Sequence, residues 1–343
     1  MGITLKEIAE LAGVHKSTVD KVLHNRPGVS EAKRAEIKKL LEEYSYESNP
    51  LAKALNYQKK KMEIAVVLIR VNASAFIKQG MELVKKDFNS FNIKIRYYET
   101  SVSSGREQAD LLKKLVEEKI SGIVLHAIED DAVKEAMEEV HEAGIPLITV
   151  NSDLATAPKL CYVGQDMEKG GRVAARMLHL MKDGMGRVGI ITTAKSQSNR
   201  QRELAFSSYL EEIAPELLKG VRLEIEDEAE SHVAYDEVRS MLQEHDNLDA
   251  IYITCGNVPH ICRAVNEYVD AGKMKKPVII CHEKYPQIME LMKTGLVSAT
   301  INGELTEQGR LAMRLLFEYL IYDSKPEKEI YHVGNEVLLR ECL

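Results

Sequence analysis

Apolar residues in the first 44 positions recur at helical spacing. Leu5, Ile8, Ala9, Leu11 and Ala12 mark one short helix that starts near Leu5 and is closed by Gly13, and Thr4-Leu5-Lys6-Glu7 has the letters of a capping box in front of it. Val14, Val19, Val22 and Leu23 supply the apolar side of a second helix from about Lys16 to His24. After the turn signal Asn25-Arg26-Pro27-Gly28, Ser30 offers an N-cap to a third helix, Ala32 to Tyr44, with Ile37, Leu40, Leu41 and Tyr44 on one face. Two short helices about a tight glycine turn, with a third across them, predict a helix-turn-helix head over residues 1–48. Asn49-Pro50 then opens only about two turns of helix through Leu55, too short to be stable without a surface to fold against. This predicts a hinge helix and linker over 49–61.

From Met62 the pattern changes to short apolar runs separated by amphipathic segments. IAVVLI (64–69), IKIRYY (93–98), GIVLHA (122–127) and PLITVN (146–151) read as strands, with helices such as Glu107–Glu118 and Ala132–Ala143 between them. The rhythm restarts with GRVGIIT (186–192), LEIEDE (223–228), AIYITC (250–255), PVIICH (277–282) and VSATIN (297–302), and a last strand lies within 332–342. Two similar parallel, doubly wound α/β lobes are predicted in a second domain, 62–343. The N-lobe is expected to take about 62–161 and 303–326, the C-lobe about 162–302 and 327–343.

Charge divides the chain in the same place. Residues 1–61 hold twelve Lys or Arg against eight Asp or Glu, a net of +4, which leaves −11 for the remainder of a chain whose net charge is −7. A basic head on an acidic body suits local phosphate contact rather than a chain that coats nucleic acid along its length. The five cysteines form no CxxC pair and no zinc spacing, which fits a reducing cytoplasm. No apolar run of about 18 residues and no leader-like N-terminus is present, so a soluble chain is expected.

Catalytic signatures are missing from the sequence. There is no HExxH, no G-x-S-x-G and no nucleophile beside an obvious base, and the G-x-G-x-x-G letters at Gly184, Gly186 and Gly189 lie before and within a strand rather than after one. No enzyme, metal or cofactor is expected. Base reading requires short polar side chains at the start of the second head helix, which makes Lys16, Ser17 and Lys21 candidates. In doubly wound sheets ligands bind at the carboxyl ends of the strands. Those ends carry Asn72, Phe76, His126, Asn151, Arg202, Asn257, Glu283 and Asn302, a donor and acceptor set suited to a ligand with many hydroxyls. Phe76 is one of only five Phe in a chain without Trp, and so a stacking face for a sugar ring or a core residue. Arg70 and Lys78 nearby leave a sugar acid or sugar phosphate open.

GVHKSTVDKVL (13–23) followed by YSYESNPLAKAL (44–55) resembles the lactose-repressor (LacI/GalR) family of transcriptional regulators. YVGQDMEKGGRVAA, the Arg202-x-x-Ala205-Phe206 unit and SATINGELTEQGRLA resemble the effector core that this family shares with periplasmic sugar-binding proteins. The resemblance implies an all-α helix-turn-helix head plus hinge helix joined to a two-lobed, periplasmic-binding-protein-like (type I) effector domain. It implies a cytoplasmic, nucleoid-associated homodimer that binds a pseudo-palindromic operator in double-stranded DNA and responds to a sugar or sugar derivative. The DNA contacts it implies are Thr4, His15, Lys16, Ser17, Thr18, Lys21, Asn25 and Lys53, with Leu55 as a minor-groove wedge. Arg202 would clamp the ligand, with Asn151 and Glu283 standing where relatives have Asp. His15 and Asp20 depart from the family's serines. A non-DNA sugar receptor and a corepressor-dependent regulator sensing an acidic or phosphorylated metabolite are the alternatives, and an enzyme that uses the head as a docking module is a third.

Overall fold

The computed structural model describes the chain of 343 residues apart from 1, 2, 4, 24–27, 45–60, 89, 90, 103, 194, 195, 219 and 226–230. It comprises two compact units, Met1–Tyr57 and Gln58–Leu343. The predicted hinge helix and the capping residue Thr4 lie outside the described residues.

The first unit contains α1 (Leu5–Leu11), α2 (Lys16–Leu23) and α3 (Glu31–Glu43). Gly13, with φ of +62°, makes the turn between α1 and α2, a conformation that glycine adopts without steric cost. Ile8, Ala9, Ala12, Val19, Val22 and Ile37 close into a small core. Lys33 of α3 ties down the end of α1 by donating to the carbonyl of Ala12 at 3.1 Å. Three residues expected on apolar faces are instead exposed: Leu11, Leu23 and Tyr44. Each stands at the last turn or just past the end of its helix, where the partner helices no longer cover the face. Ser30 occupies the N-cap of α3 in extended backbone, but its side chain makes no capping bond.

The second unit is built on two six-stranded sheets, numbered here by strands β1 (Met62–Ile69), β2 (Ile93–Thr100), β3 (Gly122–Leu125), β4 (Leu147–Val150), β5 (Cys161–Gly164), β6 (Val188–Thr193), β7 (Val221–Ile225), β8 (Ala250–Ile253), β9 (Val278–His282), β10 (Ala299–Asn302), β11 (Ile330–His332) and β12 (Glu336–Leu339). The strand orders are β11-β5-β4-β3-β1-β2 and β12-β10-β9-β8-β6-β7. The central strands are buried on both faces, which explains their unbroken apolar runs; β3, β4 and β8 are buried at every position. Helices α4 (Asn72–Lys85), α5 (Gly105–Glu117) and α6 (Asp131–Glu142) return the chain between the strands of the first sheet. In the second sheet the returns are α7 (Met167–Lys182), α8 (Gln197–Ile213), α9 (Ser231–Glu244), α10 (Val258–Asp270) and α11 (Pro286–Lys293); α12 (Leu305–Tyr322) leads back to the first.

Two expectations need correction. β5 pairs with β4, and β11 pairs with β5, so the first lobe keeps residues through Gly164 and regains the chain as far as His332. The lobe boundaries therefore fall after Gly164 and His332, not at 162 and 327, because both short strands add to the edge of the first sheet. The sheets are also not wholly parallel: β12 runs antiparallel to β10, since no helix separates it from the preceding passage to reverse its direction.

Candidate functional site

The chain passes between the lobes after β5, after β10 and after β11, leaving a cleft that the carboxyl ends of both sheets face. Its volume is about 530 Å³, and six of the eight predicted ligand residues line it: Asn72, His126, Asn151, Arg202, Asn257 and Glu283. The other two are elsewhere. Phe76 packs on Tyr285 of the second lobe, ring centroids 5.3 Å apart and planes tilted by 33°, so it bridges the lobes instead of lining the cleft. Asn302 is buried in the second passage, donating to Glu336 at 3.0 Å and accepting from the Glu304 N–H at 3.1 Å. Its side chain is consumed by the Glu336 carboxylate and the Glu304 backbone.

Arg202 is the centre of the site because of how α7 and α8 cross. Gly171 lies so close to α8 that a Cβ there would sit 2.2 Å from the Arg202 carbonyl, and no larger residue permits that approach. The buried guanidinium donates to Gln165, to the Thr254 carbonyl at 3.5 Å and to Glu283 at 3.3 Å. Its Nε is buried without a hydrogen-bond partner. Such a donor costs free energy until something accepts from it. Glu283 holds a left-handed backbone, φ +73°, strained for a non-glycine residue and fixed by its N–H to Ile301 and by the Gly303 N–H donating to its carboxylate at 3.2 Å. Burial raises the Glu283 carboxyl above the usual range, and the neighbouring Arg202 opposes that rise without cancelling it.

On the first lobe, Asn151 also adopts a left-handed backbone, φ +64°, and points its side-chain amide nitrogen at His126 Nε2, 3.1 Å away. An amide nitrogen only donates, so Nε2 must accept and the proton of neutral His126 sits on Nδ1. That Nδ1 is buried and unpartnered. Burial lowers the His126 pKa to about 4, so the ring is neutral at physiological pH. Each lobe thus contributes to the cleft lining a residue that holds a buried N–H donor without a partner. The cleft's carboxylates are already engaged: Asp153 by Thr149 at 2.7 Å and Lys159 at 3.2 Å, and Glu129 by Arg200 at 2.5 Å.

In the head, Lys16, Ser17 and Lys21 are exposed along α2, whereas Thr18 is half-buried. His15 stands immediately before α2 and accepts from the Ser17 N–H at 3.3 Å, while the Ser17 hydroxyl lies 2.9 Å from the same ring nitrogen. Here the imidazole serves as helix cap, the work the family's serine would do. Thr4, Asn25, Lys53 and Leu55 lie outside the described residues. Sequence reasoning passed over Gln165 and Tyr285. Gln165 sits inside the YVGQD run that carried the resemblance, and Tyr285 could have been found as the only aromatic residue in the loop that follows β9. Among the described residues no cluster could hold a metal ion, and no helix is long and apolar enough to cross a membrane.

This fold and cleft match known proteins. Residues 64–324 match the periplasmic binding protein domain, and residues 4–49 match the bacterial regulatory proteins of the lacI family. The chain belongs to the family of periplasmic binding protein domains and carries a lacI-family head at its N-terminal end. It is similar to the NTD biosynthesis operon regulator NtdR of Bacillus subtilis, 26% identical over 210 residues, with 61% of each chain covered. The matched part is thus less than two thirds of that relative's length. The transcriptional regulator MalR of Streptococcus pneumoniae is 20% identical over 96% of both chains. Among solved structures, GanP, a glucose-galactose binding protein from Geobacillus stearothermophilus, superposes with a TM-score of 0.73 at 19% identity, covering 83% of this chain and 99% of that one. That likeness establishes the fold alone.

Proposed function

We propose that this protein is a DNA-binding transcription regulator, a repressor of carbohydrate-use genes that binds a pseudo-palindromic operator as a cytoplasmic homodimer and is controlled by a neutral sugar in the cleft. The observation that carries the reading is the presence, in one chain, of a lacI-family head with Lys16, Ser17 and Lys21 exposed on α2 and of a cleft centred on Arg202. The names of NtdR and MalR support regulation, and the name of GanP supports a sugar. Charge bookkeeping favours a neutral ligand over a sugar acid or phosphate. The cleft lining holds Arg70 and Arg202 against the carboxyls of Glu129, Asp153 and Glu283, and Arg202, its buried cation, is already matched by Glu283, so an added anion would bring it a second negative charge. Hydroxyl and ring oxygens can satisfy Arg202 Nε and His126 Nδ1 at no such cost.

The head contacts follow the same reading. His15, Lys16, Ser17, Thr18 and Lys21 meet the major groove and its phosphates with Thr4 and Asn25, while Lys53 and Leu55 enter the minor groove. Thermal unfolding of the full chain in the presence of neutral sugars, sugar acids and sugar phosphates tests the ligand class. A neutral sugar is expected to raise Tm; stabilisation by sugar phosphates alone would overturn the assignment.

A further inference from the structure

The three passages between the lobes are bonded to one another and to Arg202. Gln165, 1% exposed, stands at the first passage. Its Oε1 accepts from Arg202, and its Nε2 donates to Asn335 Oδ1 at 2.8 Å. Asn335, at the third passage, donates its side-chain amide to the Asp166 carbonyl at 3.1 Å and its backbone N–H to the Asn302 carbonyl at 2.9 Å. Asn302 and Gly303 form the second passage, and the Gly303 N–H reaches Glu283, whose other oxygen accepts from Arg202. Passages two and three also touch directly: a Cβ on Gly334 would lie 2.6 Å from the Gly303 carbonyl. Each passage is therefore within two hydrogen bonds of the guanidinium that faces the ligand.

We propose that Gln165 is the positioning residue that couples occupancy of the cleft to the hinge between the lobes, a role that rests on the ligand-controlled reading above. One side-chain end must accept from Arg202 and donate to Asn335. Only an amide does both; a carboxylate keeps the first bond and loses the second. A ligand oxygen that engages Arg202 shifts the guanidinium, and Gln165 must then re-partner with either Arg202 or Asn335. Buried polar networks of this kind resist partial satisfaction, so the passages move together or not at all. Closure becomes a two-state step that ligand occupancy can bias.

Amide hydrogen exchange on the full chain tests this, first without any ligand, in the wild type and in Gln165→Glu, Gln165→Met and Asn335→Ala. All three variants are expected to exchange the Gly303 and Asn335 amides at least about tenfold faster, while β1 amides from Ala65 to Leu68 stay at wild-type rates. Wild-type rates at Gly303 and Asn335 in all three variants would overturn the coupling, and equal acceleration in β1 would show a general loss of structure and overturn it as well. The second arm uses D-galactose as the probe. Asn335→Ala, which leaves the Gln165 bond to Arg202 in place, is expected to bind it within about threefold of the wild type yet lose the slowing of hinge exchange that the sugar produces; retained slowing would refute the role. Failure of D-galactose to bind the wild type counts against the sugar reading alone, because the ligand-free rates already decide the coupling.

Discussion

The Arg202–Glu283 pair sets the strongest single constraint on the cleft, and Arg202→Met isolates it. The two side chains are 8% and 12% exposed, so solvent screening is small. Truncating one partner of a buried ion pair costs about 3–5 kcal/mol, because the remaining charge is left uncompensated. In Arg202→Met the unmatched charge is Glu283, already raised by burial and now without its main opposing neighbour. Adding Glu283→Gln removes that charge, and the double variant should cost about 1–2 kcal/mol relative to wild type, the scale of lost hydrogen bonds. The double variant is therefore expected to be more stable than Arg202→Met by about 2–3 kcal/mol. The pH dependence has a definite sign. A carboxyl whose folded pKa is raised favours the folded state when protonated, and that stabilisation is lost as pH rises through the raised value. The deficit of Arg202→Met should thus be larger near about pH 8 than near about pH 5, and the double variant should lack that slope. Urea unfolding of the full chains at both pH values measures this. Equal costs for the single and double variants, or a deficit that grows toward acid, would refute the reasoning.

His126 supplies a second pH test: its pKa falls from 6.5 to about 4 on folding, so stability present above 6.5 is lost as pH drops through that window, by about 3 kcal/mol in full, and His126→Gln should unfold with a flatter acid limb. Gly171→Val should lower Tm and ligand affinity together, because its side chain would drive α7 away from the Arg202 backbone; calorimetry that finds either property unchanged would disprove the role of that crossing. Leu55→Ala is expected to weaken specific operator binding strongly with little change in nonspecific binding, read by competition with random duplex. Replacing Lys59, Lys60 and Lys61 by Gln should reduce the salt slope of DNA binding modestly, and an unaltered slope would remove those residues from the DNA contacts.

Much of the architecture was legible because it rests on local periodicity. The apolar spacing of Ile8, Ala9 and Ala12 and the apolar runs of β1 and β8 report burial directly, and Gly13 reports a turn. The rule that ligands meet strand carboxyl ends then found six cleft residues without any side-chain geometry. What failed depended on distant partners. β5 is only four residues long and takes its lobe from pairing with β4, and the three-residue β11 is then placed by pairing with β5 across some 170 positions of sequence. Phe76 has the composition of a stacking ring, but its neighbour is Tyr285, which only the approach of the lobes supplies. Asn302 and Gln165 show the same limit from opposite sides. Both are buried amides at lobe passages, yet one is spent on the Glu304 N–H and the Glu336 carboxylate, whereas the other bonds Arg202.

Ligand control of DNA affinity is the centre of the account, and one binding experiment addresses it directly. The full chain selects duplexes from a random-core library, and the affinity for the enriched sequence is then measured by fluorescence anisotropy with and without the neutral sugar that most raises Tm. The account predicts an enriched inverted repeat and a change in affinity of about fivefold or more, a coupling of about 1 kcal/mol or more. Enrichment of no sequence, or an affinity that the stabilising sugar leaves unchanged, would contradict it.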